Sequence, residues 1–531
     1  MPEYLTPGVY LEEFEMGARP IEGVSTSTAG FLGETERGPS IPPKLVTSLT
    51  QFMRIYGGYI ENSYLAYAVN GFFSNGGQRC YIGRIVHSGA SPASLTLDKM
   101  TFKAVGEGSW GKRVGVLIEN ASSDPQNLKP DGEKVFKLTV AYWRSENLPK
   151  DFSKPDNDGE RKKKLIQIME KVDLIEVFDE LSEDKNSQDH YLKKLSDPLK
   201  NISNLILIDK DSSGRPANTE GSFFELLTEN GENGEEQLSC DDISGDPNAK
   251  PGKRRGLTAF TEIDDISIVY VPDIHLLDEE GRNALRDNIL THCETMKDRF
   301  AILDIYENET DIGSLMIERP SKYGALYYPW IKIYDPLTKK QTSKPPGGYI
   351  AGIYARSDTE RGVHKAPANE LVRGAMDLEF QITKQEQGIL NPRGINVIRS
   401  FPGRGILVWG ARTCIVDALW KYINVRRLFI FIEKSIERGT QWAVFEPNNE
   451  KLWARVKATI TQFLTTVWKD GALMGTKPEE AFFVKCDRST MTQDDIDNGR
   501  LICIIGIAPV KPAEFVIFRI AQWAGGSAAT E

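Results

Sequence analysis

The sequence predicts a multidomain α/β and α+β protein with extended strand arms at both termini. Three observations carry that reading. Two separated stretches repeat the order strand, breaker, helix. A region of unusually high charge lies between them. The chain closes on a segment that is apolar on both faces of a strand.

The first α/β stretch begins at Ser25. Thr28 to Gly33 reads as a strand, and Ser48 to Tyr56 and Tyr64 to Phe73 as helices. The second helix ends at Asn75-Gly76-Gly77, and Cys80 to Val86 is an apolar strand. The style recurs at Ile266 to Val271, Glu279 to Lys297 and Phe300 to Ile305. Alternation of this kind marks an α/β layer, so 23–91 and 257–342 are expected to form one discontinuous middle domain.

Residues 92–256 form the expected insertion, surface-exposed and charged. Positions 151–250 hold 37 charged residues, well above the 26% of the whole chain. Val114 to Glu119 and Val135 to Trp143 read as strands, Glu160 to Leu181 as a charged helix, and Asp211 to Arg255 as long loops.

Lys339 to Gly348 is polar and carries two prolines and two glycines, a boundary signal. A C-terminal α+β domain is expected over 343–510. Ile395 to Ile398, Gly405 to Trp409 and Trp420 to Val425 read as its strands and Arg427 to Arg438 as a helix. Glu450 to Trp468 is the clearest helix. Leu452, Val456, Ile460, Phe463 and Val467 recur every three to four residues and build one apolar face. Ala481 to Cys486 and Leu501 to Ile507 suit a hairpin.

Both ends read as arms. Pro7 to Phe14 is a short extended segment cut off by Gly17, Pro20 and Gly23. At the other end, Phe515, Ile517 and Trp523 lie on one face of a strand and Val516, Phe518 and Ile520 on the other. A strand apolar on both faces belongs inside a sheet, its own or a neighbour's. The arms are assigned to 1–22 and 511–531.

Composition narrows the function. The net charge of −10 and pI near 5.4 argue against nucleic acid as a direct partner. No run approaches ~18 apolar residues, so membrane insertion is not expected. Six scattered cysteines without a CxxC pair read as reduced, packed thiols of a protein made in the cytoplasm.

No catalytic, cofactor or metal site stands out. Gly106-Glu107-Gly108-Ser109-Trp110-Gly111-Lys112-Arg113 imitates a P-loop, but Arg113 replaces the Ser or Thr that would hold Mg²⁺, and the sequence beyond is strand-like. The five histidines show no metal spacing; His292, Cys293 and Glu294 are sequence neighbours that a helix would point apart. Gly352 to Glu370 gathers Arg356, Asp358, Glu360, Arg361, His364 and Lys365, best read as a packed loop whose charges pair with one another.

Several long motifs make the chain resemble the tail sheath proteins of contractile phage tails and phage-tail-like injection particles. They are TPGVYLEE (6–13), STSTAGFLGETERGP (25–39), FFSNGGQRCYIGRI (72–85), AGIYARSDTERGVHKAPANE (351–370), NPRGINVIRSFPGRGILVWGART (391–413), INVRRLFIFIEKSIERGTQWAVFEPN (423–448) and APVKPAEFVIFRIAQ (508–522). The insertion matches only loosely, and PPGGYIAG (345–352) departs from the serine-containing form of the family.

The resemblance implies a structural, non-enzymatic subunit without cofactor that stacks as hexameric rings around an inner tube. On a baseplate trigger the sheath contracts and drives the tube through a target envelope. Its implied partners are copies of itself, the inner tube protein, and the baseplate and terminal cap proteins. The implied location is an assembled phage tail or tail-like particle, made in the bacterial cytoplasm and in some systems released. In the family, arms of neighbouring subunits add strands to a C-terminal sheet. By position those arm residues are Val9, Tyr10, Leu11, Glu12 and Phe14, and Phe515, Val516, Ile517, Phe518 and Ile520. Lys451, Arg455 and Lys457 on the 450–468 helix are the candidate tube-facing residues. Competing classes are an enzyme with an acidic insertion and another arm-linked assembly protein such as a tube, capsid or scaffold.

Overall fold

The computed structural model describes residues 20–126, 134–149, 152, 155, 157–197, 200, 202–219 and 223–519. The chain forms two compact units. The larger holds 25–360 and 367–423; the smaller holds 361–366 and the chain from 424 onward, together with the segment before 25.

A nine-stranded sheet organises the larger unit. Its order is Glu370–Leu371, Gly405–Val408, Ile395–Phe401, Gly324–Tyr328, Phe300–Asp304, Ile268–Tyr270, Ala29–Gly33, Cys80–Arg84, Lys44–Val46. The six central strands from 395–401 to 80–84 run parallel, and the edges are antiparallel. Strands 29–33, 268–270, 300–304 and 324–328 are buried throughout, as expected of parallel strands covered on both faces. The strands and helices read from 28–86 and 266–305 are present within a few residues of their expected limits.

Asp273 ties the ends of this sheet together. Its Oδ2 accepts from Glu34 N (2.7 Å) and Ser63 Oγ (2.8 Å), and its Oδ1 from Tyr64 N (2.7 Å). One fully buried carboxylate thus anchors the loop after 29–33 and the start of helix Leu65–Ser74.

Two expectations change around this sheet. The segment read as a charged loop from Gly352 is helical, within Gly347–Arg361. Its glycines are a contact surface. A Cβ on Gly348 would strike the Ala68 backbone, one on Gly352 the Phe72 carbonyl, and one on Gly71 the Tyr349 ring. Bare backbone therefore lets helices 65–74 and 347–361 approach closely, which outweighs the low helix propensity of glycine. Strands 395–401 and 405–408 join the same sheet through 324–328, so the chain divides at 423/424 and not at 343.

The region 92–256 is a packed β structure. Glu225–Leu226, Val114–Asn120, Val135–Tyr142 and Leu174–Ser182 form one antiparallel sheet, and Glu229–Asn230, Ala93–Leu97, Met100–Ala104 and Ile206–Ile208 another. Both contribute to one core, Val116, Ile118, Leu138 and Val140 from the first and Met100, Phe102 and Ile206 from the second. The helix read over 160–181 stops early. Asp158–Met169 is helical, and 174–182 is an edge strand. Its polarity is inverted. Glu176 is buried and accepts from Ser203 Oγ (2.6 Å) and Asn204 Nδ2 (2.8 Å), while Ile175 and Val177 are exposed. The stretch read as loops, 211–255, includes two short strands and the helix Cys240–Ser244.

The P-loop imitation is a turn. Ser109–Arg113 forms one short 3₁₀ turn running directly into strand 114–120, and Lys112 pairs with Glu232 at 2.9 Å. No helix of the described residues is long and apolar enough to cross a membrane.

Candidate assembly surface

The smaller unit is built on helix Glu450–Lys469. Asn449 caps it, accepting from Leu452 N at 3.1 Å. Its apolar stripe, Leu452, Val456, Ile460, Phe463 and Val467, is buried as the spacing required. Leu428 and Ile432 of helix Ile423–Gly439 and Phe482 and Val484 of a hairpin share this core. The segment read as a strand, 420–425, is instead the approach to and first turn of that helix.

Residues 20–24 lie along helix 423–439. Ile21 fills the space beside Gly439, Gly23 lies against Phe431, and Val24 N donates to Ser435 Oγ at 3.1 Å. The N-terminal arm residues Val9, Tyr10, Leu11, Glu12 and Phe14 fall outside the described residues, as does Ile520.

The expected hairpin is present. Phe482–Lys485 pairs antiparallel with Ile504–Ile507, in the register Phe482↔Ile507 to Lys485↔Ile504. Phe482 and Val484 point into the core, and Phe483 on the opposite face covers Gly506, where any Cβ would collide with its ring. The sheet is two strands wide, and among the described residues no third strand pairs with either edge. A row of outward N–H and C=O groups is the feature to which an incoming strand adds.

The C-terminal chain leaves this hairpin directly. Ala508 N donates to Ala481 O (2.8 Å) and Val510 N to Ala472 O (3.1 Å). Residues 511–519 then lie outside every strand. Phe515, Val516, Ile517 and Phe518 are 70%, 69%, 79% and 84% exposed. Four consecutive large apolar side chains in water are costly, by ~25 cal/mol for each Å² that a partner would cover.

Lys451, Arg455 and Lys457 are all exposed. They do not share one stripe. Lys451 and Arg455 are one turn apart, whereas Lys457 sits about 160° round the helix from Arg455. Arg455 stacks over the Trp442 ring at 4.5 Å.

The charged residues of 356–365 do not converge on a site. Arg356 is buried and donates to Asn75 O (3.1 Å) and Leu371 O (2.8 Å), and Asp358 accepts from Thr26 Oγ1 at 2.6 Å. His292, Cys293 and Glu294 diverge as a helix requires. Arg299 Nη1 meets His292 at 3.2 Å, Cys293 is buried, and Glu294 binds Arg319 and Ser321. Burial, with the Arg299 charge, pushes His292 down to about 4. No group of three or more metal-ligating side chains occurs among the described residues.

The parallel sheet, the β insertion and the hairpin unit with its exposed tail define a structural protein of phage-like tails. The phage tail sheath protein central domain matches residues 249–414 and the phage tail sheath C-terminal domain matches 416–522, together just over half of the 531 residues. The chain belongs to the contractile tail sheath family, whose members are structural proteins and not enzymes. The tail sheath protein of Vibrio phage KVP40 is 27% identical over 187 residues, 34% of this chain and 27% of that protein. That of Salmonella phage ViI is 24% identical over 276 residues, 46% of this chain and 42% of that protein. The chain thus spans less than half the length of these curated relatives.

The solved contracted helical sheath of the anti-feeding prophage is similar with a TM-score of 0.58 at 24% identity, covering 97% of this chain and 99% of that one. The contracted PVC sheath complex of an extracellular contractile injection system gives 0.57 at 23%, covering 99% of each chain. At these identities the likeness establishes the fold.

Proposed function

We propose that this chain is the repeating subunit of a contractile sheath, a component of a phage tail or tail-like particle. Subunits stack as sixfold rings around an inner tube protein, between baseplate and terminal cap. On release they shorten and push the tube through a target cell envelope. The observation that carries this reading is a hairpin to which, among the described residues, no third strand adds, beside a tail whose apolar residues 515–518 lie in solvent. A two-stranded sheet alone is marginal, and a two-faced apolar strand lacks a sheet; a neighbouring copy supplies each need. Likeness to two sheaths in the contracted state supports the same reading.

In this scheme residues 1–22 and 511–531 are the exchanged arms. Main-chain hydrogen bonds hold them while the bodies rotate. Lys451 and Arg455, one turn apart on the 450–469 helix, present positive charge to an acidic tube surface, and Lys457 lies on another face. Region 92–256 is a surface-exposed insertion in the middle domain.

Negative-stain microscopy of the purified chain, alone and with its tube partner, tests this. Hollow ribbed cylinders are expected, and a variant lacking 512–531 should stay folded yet form none. Smooth narrow tubes, discrete small oligomers, or normal cylinders from the truncated chain overturn the reading. Reversing charge at Lys451, Arg455 and Lys457 should leave empty sheath but abolish co-assembly with the tube.

A further inference from the structure

The hairpin of the smaller unit carries a cysteine just past the end of each strand. Its register runs Phe482↔Ile507, Phe483↔Gly506, Val484↔Ile505, Lys485↔Ile504, and the next pair in line is Cys486 and Cys503. Ala508 N donates to Ala481 O, which makes Ala481 and Ala508 a hydrogen-bonded pair. Antiparallel pairs alternate, so 483/506 and 485/504 are also hydrogen-bonded, and 486/503 falls on a non-hydrogen-bonded position. There the Cα atoms are closest, ~4.5 Å apart, with side chains on the same face. That lies within the Cα separation a disulfide spans, ~4.4–6.8 Å.

The side chains meet as the register requires. Both cysteines are free thiols, Cys486 buried and Cys503 half-buried, and both belong to the core around helix 450–469. The intervening loop folds back beside them. Asp487 N donates to Thr490 Oγ1 (3.2 Å), and that hydroxyl donates to Ile502 O (2.9 Å). Burial pushes both thiols up, Cys503 to about 12 with the neighbouring Cys486 adding to the effect. Little thiolate is then present at neutral pH, so exchange is slow.

We propose that Cys486 and Cys503 are a latent cross-strand disulfide that closes when the protein meets a low-molecular-weight disulfide oxidant. The half-buried Cys503, as thiolate, attacks one sulfur of the oxidant, and the other leaves as a thiolate carrying the electron pair of the broken S–S bond. Cys486, deprotonated in turn, attacks the Cys503 sulfur and expels the second thiolate. Two protein thiols lose two protons and two electrons, and one external disulfide becomes two thiols. A reducing cytoplasm holds the pair open and an oxidising exterior closes it. This chemistry is independent of the sheath reading. If that reading holds, the bond fixes the register of the two strands that receive neighbouring arms.

The test uses the full chain incubated with oxidised glutathione, alkylated under denaturing conditions and digested with trypsin without reduction. Trypsin cuts after Lys485, Arg488 and Arg500, and Pro512 protects Lys511, so Cys486–Arg488 should be recovered linked to Leu501–Arg519. The pair should weigh about 2 Da less than the two thiol peptides together. Recovery of the two cysteines alkylated, or each separately carrying glutathione, overturns the proposal. The Cys486→Ser variant should stop at glutathione on Cys503; a Cys503 link to another cysteine in equal yield would overturn it as well. The wild-type digest decides alone if that variant fails to fold.

Discussion

Two short apolar segments, FAILD at 300–304 and FVIFR at 515–519, are nearly interchangeable as sequences. The first is buried at every position between two parallel neighbours. The second has no strand beside it among the described residues and four side chains in solvent. Strand propensity is, if anything, higher in the second, where Val516 and Phe518 stand in place of Ala301 and Leu303. What differs is the sheet. Strand 300–304 has 268–270 and 324–328 waiting in its own unit, whereas 515–519 follows a hairpin whose register is complete at 482 and 507. The segment with the weaker strand propensity is thus the core strand, and the stronger one is left as an arm.

Substitutions that sharpen this contrast should separate folding from assembly. Ile302→Asp buries a charge inside the sheet, and chemical denaturation should report a loss of ~3–5 kcal/mol or outright unfolding. Gly352→Val forces helices 65–74 and 347–361 apart and should cost ~1–3 kcal/mol in the same assay. Ile517→Asp should change the stability of the isolated chain by less than ~0.5 kcal/mol, yet sedimentation should show polymer formation lost. A large stability loss from Ile517→Asp would mean that the tail packs on its own subunit, and the contrast would fail.

The buried sheet also carries a pH signature that the arm lacks. Burial pushes Asp273 up to about 7, against the pull of its three donors. The folded state then holds a proton that the unfolded chain, with an ordinary carboxyl near ~3.9, has released. Stability from this group is complete below about pH 4 and declines as pH rises toward 7. Thermal melts of the wild type and of Asp273→Asn should differ in slope over that window, the wild type falling more steeply. Parallel slopes would remove Asp273 from the account.

Much of the architecture was legible because its pattern is local. Helix 450–469 follows from one apolar stripe, and strands 29–33, 80–84, 268–270 and 300–304 from apolar runs between breakers. The misreadings share a cause, since each residue's partner lies far off in sequence. Glycines 348 and 352 suggested a loop until Ala68 and Phe72 came to face them. Glu176 broke the strand pattern of 174–182 because Ser203 and Asn204 satisfy it. Polar residues and prolines at 339–348 marked a boundary, but strands 395–401 and 405–408 cross back to the main sheet. Cys486 and Cys503 are separated by sixteen intervening residues around a loop, and their adjacency is visible only when the hairpin register is carried one pair further.

By itself the sequence determined that an α/β layer exists, that a charged insertion interrupts it, and that 513–523 places apolar residues at both alternating sets of positions. These depend on composition and periodicity, which need no partner to be read. Only the tertiary structure decided which strands complete the nine-stranded sheet, which glycines are contacts, and that the hairpin beside the C-terminal tail has two strands among the described residues. Those depend on where backbone hydrogen-bonding edges and buried faces find, or fail to find, a partner in space, and no local pattern encodes that.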